Sequence, residues 1–161
     1  MADSVAFTAT ADRRVRYAEI LPQIEALVAA ETDLVANLAN VVAVLKEVFG
    51  FFWVGFYLAK DGELVLGPFQ GPLACTRIAF GKGVCGQAFS TESPIVVPNV
   101  DEFPGHIACA SASRSEVVVP LFDAAGDVAG VLDVDSDRLD DFSDVDVSGL
   151  SAIAGCLSKL I

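Results

Sequence analysis

The chain has 161 residues, of which 53% are hydrophobic and 20% charged, and its formal net charge is −12 at pH 7. This length predicts one domain with a sizeable core. The negative charge argues against nucleic-acid binding, which depends on neutralisation of phosphates by Lys and Arg, and it disfavours anionic membrane surfaces.

Two helices are predicted at the start of the chain. Residues 12–30 carry apolar side chains at helical spacing, although Pro22 can kink a helix. Residues 33–49 form the second predicted helix, with Thr32 as its N-cap and Gly50 as its stop.

Short strands are predicted to dominate the middle of the chain. The aromatic and β-branched run 51–59 predicts a strand, and a Lys-Asp-Gly turn joins it to a second strand over 63–69. A third strand is predicted over 76–80. A loop framed by glycines then leads into a short helix near 84–91, and residues 95–97 are extended.

The last third of the chain combines a long loop, a hairpin and a helix. Residues 99–115 are polar and punctuated by Gly and Pro, and a loop of this length in a compact domain is often functional. A second hairpin joins 117–122 to 128–134. Ser143 and Asp146 have the spacing of a capping box, which predicts a helix from there to the end of the chain.

The order of these elements predicts a single α+β domain. Hairpins imply an antiparallel sheet, and the N- and C-terminal helices are expected to flank it. No repeat, linker or low-complexity tract divides the sequence, so residues 1–161 are predicted as one domain, with residues 1–11 as a flexible N-terminal segment.

Three of the four cysteines, Cys75, Cys85 and Cys109, lie in the middle of the chain, and Cys156 lies near its end. No CxxC pair is present, so the usual redox and zinc spacings are absent. The sequence shows no secretory signal and no apolar stretch long enough to span a bilayer, so we expect a cytoplasmic protein. Thiols are normally reduced there, which favours catalytic or redox-cycling cysteines over structural disulfides.

The position of each thiol indicates its chemistry. Cys109 lies in the polar loop, three residues after the only histidine, His106, and a loop thiol is more often reactive than a core thiol. Zinc bound by His106 and the three central cysteines is the alternative, although their spacings match no common zinc finger. Cys156 is expected to pack as a small hydrophobe beside Leu150 and Ile153 on the C-terminal helix.

Two strand patterns indicate a binding site. Trp53 and Tyr57 are four residues apart and share one face of a strand, either as core residues or as the aromatic wall of a ligand pocket. Asp133 and Asp135 share a face at the end of an apolar strand, where their repulsion favours one of them keeping its proton. Such a pair suits general acid catalysis or binding of a cationic amine. The alternatives are a solvated strand end or a weak calcium site.

The strings WVGFY, LVLGPFQGPLAC, GKGVCG, GHIAC, SE and GVLDVDS, in this order, closely resemble the free methionine-R-sulfoxide reductases, which are small cytoplasmic enzymes built on a single GAF domain. The resemblance runs from about residue 20 to residue 161. At one position the sequence departs from the family pattern, because Ala110 follows the loop cysteine where an acidic residue is usual.

The resemblance implies roles for the cysteines and the aromatic residues. Cys109 matches the catalytic cysteine, Cys75 matches the resolving cysteine that forms a disulfide with it, and Cys85 matches a third cysteine that can join recycling. Trp53 and Tyr57 match the aromatic pocket for the methyl group of the substrate.

The resemblance also implies roles for three acidic residues. Glu116, Asp133 and Asp135 match the residues that contact the sulfoxide oxygen and the amine, with Glu116 and Asp135 as the candidates for a catalytic carboxyl group. The sequence does not tell which carboxyl group does which.

The implied activity is reduction of free L-methionine (R)-S-oxide to L-methionine through a sulfenic acid and then a disulfide. A thioredoxin-like partner would restore the thiols, and no bound cofactor or metal is implied. No nucleic-acid or membrane partner is expected, and a homodimer is compatible with the fold. The alternative function is a GAF sensor module that binds a small ligand without catalysis. Such modules usually accompany output domains, for which a chain of this length leaves no room.

Overall fold

The computed structural model describes residues 4–161 of the chain. Its helices in this range are α1 Arg13–Ala30, α2 Leu34–Phe49, α3 Gly83–Thr91 and α4 Asp144–Leu157. Its strands are β1 Trp53–Lys60, β2 Glu63–Gln70, β3 Arg77–Ala79, β4 Ile95–Val97, β5 Ser115–Phe122 and β6 Val128–Ser136. Short 3₁₀ helices cover Val100–Glu102 and Ser158–Leu160. None of the helices in the described range is long and apolar enough to cross a membrane.

The six strands form one antiparallel sheet in the order β3-β2-β1-β6-β5-β4. Helices α1, α2 and α4 cover one face, with α2 packed on β1 and β2 and α4 packed on β5. Helix α3 packs on the other face, against β3, β5 and β6. This arrangement confirms the predicted α+β fold, an antiparallel sheet flanked by the N- and C-terminal helices.

Both faces of the central strands are buried, in two separate cores. Side chains alternate along a strand, so on β1 Val54 and Phe56 pack against the helices while Trp53 and Tyr57 point to the opposite face. Strand β6 alternates in the same way: Leu132 and Val134 face the helices, and Asp133 between them points to the opposite face. These predicted site side chains therefore lie on the face that α3 covers, away from the larger core.

The central hairpin is longer at its open end than the sequence predicts. Strand β6 continues through Asp135 and Ser136, and β5 begins at Ser115, because these polar residues still pair across the two strands. Ser115 lies opposite Ser136, and Glu116 lies opposite Asp135. Asp135 is thus held inside a paired strand, where the sequence placed it just beyond the strand end.

The capping of α2 differs from the prediction at one end and agrees with it at the other. The N-cap is Asp33, whose carboxylate accepts a hydrogen bond from the backbone N–H of Ala36, and Thr32 lies one residue too early to reach it. Gly50 ends the helix in the left-handed conformation, with φ of 66°, and its N–H donates to the carbonyl oxygen of Lys46. Helix α1 continues through Pro22.

Helix α4 begins as predicted and ends before the chain does. Ser143 and Asp146 form the predicted capping box, and the last turn is the 3₁₀ helix after Leu157. Cys156 is only half-buried, and its thiol donates to the carbonyl oxygen of Ala152. The predicted core position of Cys156 is wrong, because its neighbour Leu157 occupies the buried stripe of the helix.

The start of the described chain lies along α1. The N–H of Ala6 donates to the Gln23 side chain, and the Thr8 hydroxyl donates to the Glu19 carboxylate. Part of the predicted flexible segment, residues 1–3, lies outside the described residues, and the flexibility of the segment stays a prediction.

A partly buried ion pair joins Arg13 of α1 to Asp146 of α4, and Arg13 also pairs with Asp141 at 3.2 Å. The Arg13 guanidinium donates to both oxygens of Asp146 at 3.1 and 3.2 Å. It also lies over the rings of Phe51 and Phe142, 5.4 and 5.5 Å from their centroids. The Asp146 side chain is buried, and it accepts a further hydrogen bond of 2.9 Å from the Tyr17 hydroxyl. Asp146 therefore satisfies several buried donors at once.

Replacing Asp146 with Ala is expected to lower the free energy of unfolding by about 2–4 kcal/mol, because the buried Tyr17 hydroxyl loses its acceptor and α4 loses its capping box. Arg13 also loses one of its two carboxylate partners and keeps Asp141. Asp144→Ala is the matched control, since Asp144 lies in the same first turn but is exposed. Its cost should stay near 1 kcal/mol, the value of a charge at a helix N-terminus. Denaturant unfolding measures both, and equal losses would contradict the role given to Asp146.

Candidate active site

A cavity of about 30 Å³ lies between the second face of the sheet, α3 and the loop before β5. That volume has room for one or two water molecules. Of the eight residues that the sequence predicted for the site, seven line this cavity, and Cys75 does not. The seven are Trp53, Tyr57, Cys85, Cys109, Glu116, Asp133 and Asp135.

The register of three strands brings the carboxyl groups and the tryptophan together. Asp135 on β6 lies opposite Glu116 on β5 and opposite Trp53 on β1. Two residues earlier on β6, Asp133 lies opposite Gly55. A side chain at Gly55 would meet the Trp53 ring, since an added Cβ would lie 2.4 Å from the indole. The glycine therefore lets the indole lie flat across the strand beside the carboxyl groups.

Trp53 and Tyr57 are core residues and cavity walls at the same time. They are 2% and 1% exposed, and their ring centroids lie 6.0 Å apart. The Trp53 indole N–H donates to the carbonyl oxygen of Pro72 at 3.1 Å, and the Tyr57 hydroxyl donates to that of Cys75 at 2.9 Å. The two side chains are therefore core residues, as one interpretation of the sequence predicts, and they also line the cavity, while their contact with a ligand stays a prediction. Their hydrogen bonds also hold the loop that carries Cys75.

A disulfide joins Cys75 to Cys109, with their Cα atoms 5.1 Å apart. This is the pairing that the family resemblance implies. It connects the loop after β2 to the loop before β5, across a sequence separation of 34 residues. Both cysteines are half-buried, so the bridge lies at the edge of the cavity, within reach of solvent.

The three carboxyl groups are held away from water and near one another. Glu116 and Asp133 are 5% and 6% exposed, and Asp135 is half-buried. Burial raises the pKa of Glu116, and the charge of Asp135 raises it further. Burial and the charge of Glu116 raise the pKa of Asp133, and burial and the charge of Asp133 raise that of Asp135. These shifts favour the protonated carboxyl groups, which is the direction that a general acid requires.

The burial of Asp133 excludes one of the alternatives for the aspartate pair. A solvated strand end would leave both side chains in water, whereas Asp133 is buried and its Oδ1 has no hydrogen-bond partner among residues 4–161. The hydroxyl of Ser113 is buried in the same cavity and also lacks a partner in that range. Buried polar atoms without partners are costly, so this cavity is suited to a polar ligand.

Cys85 lies at the bottom of the site as a buried thiol. Its Sγ lies within 4.8 Å of ligand oxygens of Glu116 and Asp133. Burial raises the pKa of the Cys85 thiol well above its ordinary value, and the charges of Asp133 and Glu116 raise it further. Cys85 is therefore kept as a thiol, which is a weak nucleophile. Among residues 4–161, Cys85, Glu116 and Asp133 are the set of possible metal ligands whose donor atoms lie close enough together to bind one ion.

His106 contacts Glu116, which the sequence could not show. Its Nε2 lies 3.5 Å from Oε2 of Glu116. Burial lowers the pKa of His106, partly offset by the charge of Asp101, so the imidazole is mostly neutral at pH 7. The sequence identifies His106 as unusual because it precedes Cys109 by three residues, and zinc binding is the alternative role for it. No sequence signal pointed to Ser113.

Comparison with known proteins gives consistent results. The GAF domain family matches residues 33–161. GAF domain-containing protein A of Dictyostelium discoideum is 57% identical over 145 residues, covering 89% of this chain and 91% of that protein. The free methionine-R-sulfoxide reductase of Escherichia coli is 44% identical over 146 residues, covering 90% and 88%. The structure of free methionine-R-sulfoxide reductase from Neisseria meningitidis, in complex with its substrate, superposes with a TM-score of 0.94 at 57% identity, covering 98% and 94%.

The raised pKa of Glu116 predicts how stability changes with pH. The unfolded chain loses the Glu116 proton near pH 4.3, while the folded protein keeps it to higher pH, so this group makes folding less favourable as the pH rises above that value. Glu116→Gln removes the effect. The stability of the variant relative to the wild type should therefore increase between about pH 5 and pH 8.

Denaturant unfolding of the disulfide form at both pH values measures this change. Glu47→Gln on the exposed face of α2 is the matched control, because its carboxylate stays in water whether or not the chain is folded. The same trend in both variants, or a trend of opposite sign in Glu116→Gln, would contradict the prediction.

Proposed function

This chain belongs to the free methionine-R-sulfoxide reductases of the GAF domain family, and we propose that it reduces free L-methionine (R)-S-oxide to L-methionine with its own thiols. One observation carries the proposal. A bridged cysteine pair, an aromatic wall and three carboxyl groups, two of them buried and one half-buried, meet at a single cavity. A sensor module would need a pocket but not a cysteine pair at its edge.

The proposed reaction begins from the reduced enzyme. The thiolate of Cys109 attacks the sulfoxide sulfur, a carboxyl group donates a proton to the sulfoxide oxygen, and that oxygen passes to the cysteine as a sulfenic acid while methionine leaves. The Cys75 thiol then condenses with the sulfenic acid, which forms the disulfide and releases water. The Cα separation of 5.1 Å between these cysteines supports the second step.

Among the carboxyl groups, Glu116 has the surroundings that best suit a general acid. It is almost fully buried, its pKa is raised, and the side chain beside it is a mostly neutral imidazole that does not take its proton. Such an acid can supply a proton near neutral pH. We assign the oxygen-protonating role to Glu116 on this basis.

The remaining carboxyl groups, Asp133 and Asp135, are suited to the α-ammonium group of a free amino acid. Lys82, an exposed residue, is the one Lys or Arg among residues 4–161 that lines the cavity. A cationic ligand between the two aspartates would offset their mutual repulsion. A methionine sulfoxide inside a peptide lacks this ammonium group. The same feature would therefore select the free amino acid over the residue in a protein chain.

The aromatic wall is proposed to orient the substrate. Trp53 and Tyr57 are rigidly packed and hydrogen-bonded, so they can hold the methyl and thioether end in one position. A sulfoxide sulfur carries partial positive charge, which favours the face of an electron-rich ring. Fixing the sulfur opposite Cys109 lowers the entropic barrier to attack.

Thiol counting tests the proposed reaction. Fully reduced wild-type protein mixed with free L-methionine (R)-S-oxide should lose about two thiols per chain, because one disulfide forms per turnover. Cys109→Ser should lose none and show no turnover with dithiothreitol. Cys156→Ser should behave like the wild type, since Cys156 lies on α4, away from the cavity. A protein that binds the sulfoxide with no loss of thiols is a sensor, and the proposal is then wrong.

Ligand binding tests the role of the aspartates. In reduced Cys109→Ser protein, fluorescence of Trp53, the only tryptophan, should report binding of free methionine sulfoxide. N-acetyl-methionine sulfoxide, which lacks the ammonium group, should bind about 10- to 100-fold more weakly, the range expected for hydrogen bonds to a charged group. Asp135→Asn should reduce this preference. Equal affinity for the two ligands would exclude an ammonium site at the carboxyl groups.

A further inference from the structure

The two halves of the disulfide share a short sequence pattern. Leu73-Ala74-Cys75 and Ile107-Ala108-Cys109 each place a large aliphatic residue two positions before the cysteine. Leu73 is 89% exposed and Ile107 is 37% exposed. They are the large apolar side chains within two residues of the bridged cysteines that are exposed to solvent. An aliphatic residue left in water represents binding energy that a partner surface can recover.

The loop that carries Leu73 is held in place on both sides of it. The Trp53 indole donates to the carbonyl oxygen of Pro72, and the Tyr57 hydroxyl donates to that of Cys75. Both aromatic side chains are fully buried. These two hydrogen bonds hold the backbone on each side of Leu73, so the exposed position of its side chain is set by the fold. Its side chain lies in solvent two residues before Cys75 in the chain.

The two sulfur atoms of the bridge differ in their surroundings. Cys109 lines the cavity, and Cys75 does not. Leu73, beside Cys75, is also far more exposed than Ile107, part of which packs against Gly83. A partner that approaches from solvent therefore meets Leu73 and Cys75 first.

We propose that Leu73 and Ile107 form the docking surface for a small protein dithiol that reduces this disulfide, and that the dithiol attacks the sulfur of Cys75. A thiolate of the partner bonds to Cys75, and Cys109 leaves as a thiolate beside the cavity. The second partner thiol, as its thiolate, then attacks the partner's sulfur in the mixed disulfide. This step releases the Cys75 thiolate and leaves the partner oxidised, with a disulfide between its own two cysteines. This inference rests on the proposed function in one respect: the reduced Cys109 that the partner regenerates is the thiolate proposed to attack the sulfoxide.

Reduction kinetics of the oxidised protein test the docking surface without any sulfoxide. Reduced thioredoxin is the protein probe and dithiothreitol is the small-molecule probe. Leu73→Ser should slow reduction by thioredoxin about fivefold or more, as expected for loss of a central apolar contact, and should leave reduction by dithiothreitol unchanged. Val35→Ser is the matched control, because Val35 is 62% exposed on α2, on the opposite side of the sheet.

A thioredoxin variant that lacks its second active-site cysteine tests the site of attack. Peptide mapping of the trapped mixed disulfide should find it on Cys75. Trapping on Cys109, or equal thioredoxin rates for wild type and Leu73→Ser, would overturn the proposal. A slowed dithiothreitol reaction in Leu73→Ser would also overturn it, because the effect would then lie in the bridge itself. Absence of sulfoxide turnover would refute the proposed function and leave these measurements intact.

Discussion

The antiparallel register of β1, β6 and β5 is the constraint on which the rest of the site depends. Because Trp53, Asp135 and Glu116 lie in one row across these strands, their side chains project from the same face. A shift of one residue in either pairing would move the carboxyl groups into the helix-covered core. The apolar residues that alternate with them along each strand prevent that shift. The packing of the larger core therefore determines where the acidic groups of the smaller one are located.

The second core combines apolar packing with a cluster of acidic groups that destabilises it. Glu116, Asp133 and the thiol of Cys85 are buried within a few ångströms of each other, and burial raises the pKa of all three. Burying these acidic groups together makes folding less favourable. The stabilising ion pair of Arg13 with Asp146 lies on the other side of the sheet, away from the acidic cluster. The polar contacts that stabilise the fold thus lie on one face of the sheet, and the acidic groups that suit proton transfer lie on the other.

Local features of the fold could be predicted from the sequence because they depend on neighbouring residues. The alternation in WVGFY, the Gly50 stop of α2 and the capping box of Ser143 each act within a few positions. The contact of His106 with Glu116 and the unpartnered hydroxyl of Ser113 depend on how distant segments pack, so no local pattern shows them. The sequence predicted that Cys156 packs in the core, and this was wrong because Leu157 beside it takes the buried position. Helical spacing alone does not show which of two adjacent apolar residues is buried. The motif resemblance predicts which residues form the site, and the strand register explains why most of those residues lie together.

The disulfide also changes the thermodynamics of the whole chain. A cross-link between residues 34 positions apart restricts the unfolded ensemble and, in the chain-entropy account, stabilises the folded protein by about 4 kcal/mol. Each turnover would then end in the more robust form of the enzyme and each recycling step in the more fragile one. Under sustained oxidation the enzyme would accumulate in its durable state, so that a shortage of reductant would preserve the protein while it halts the reaction.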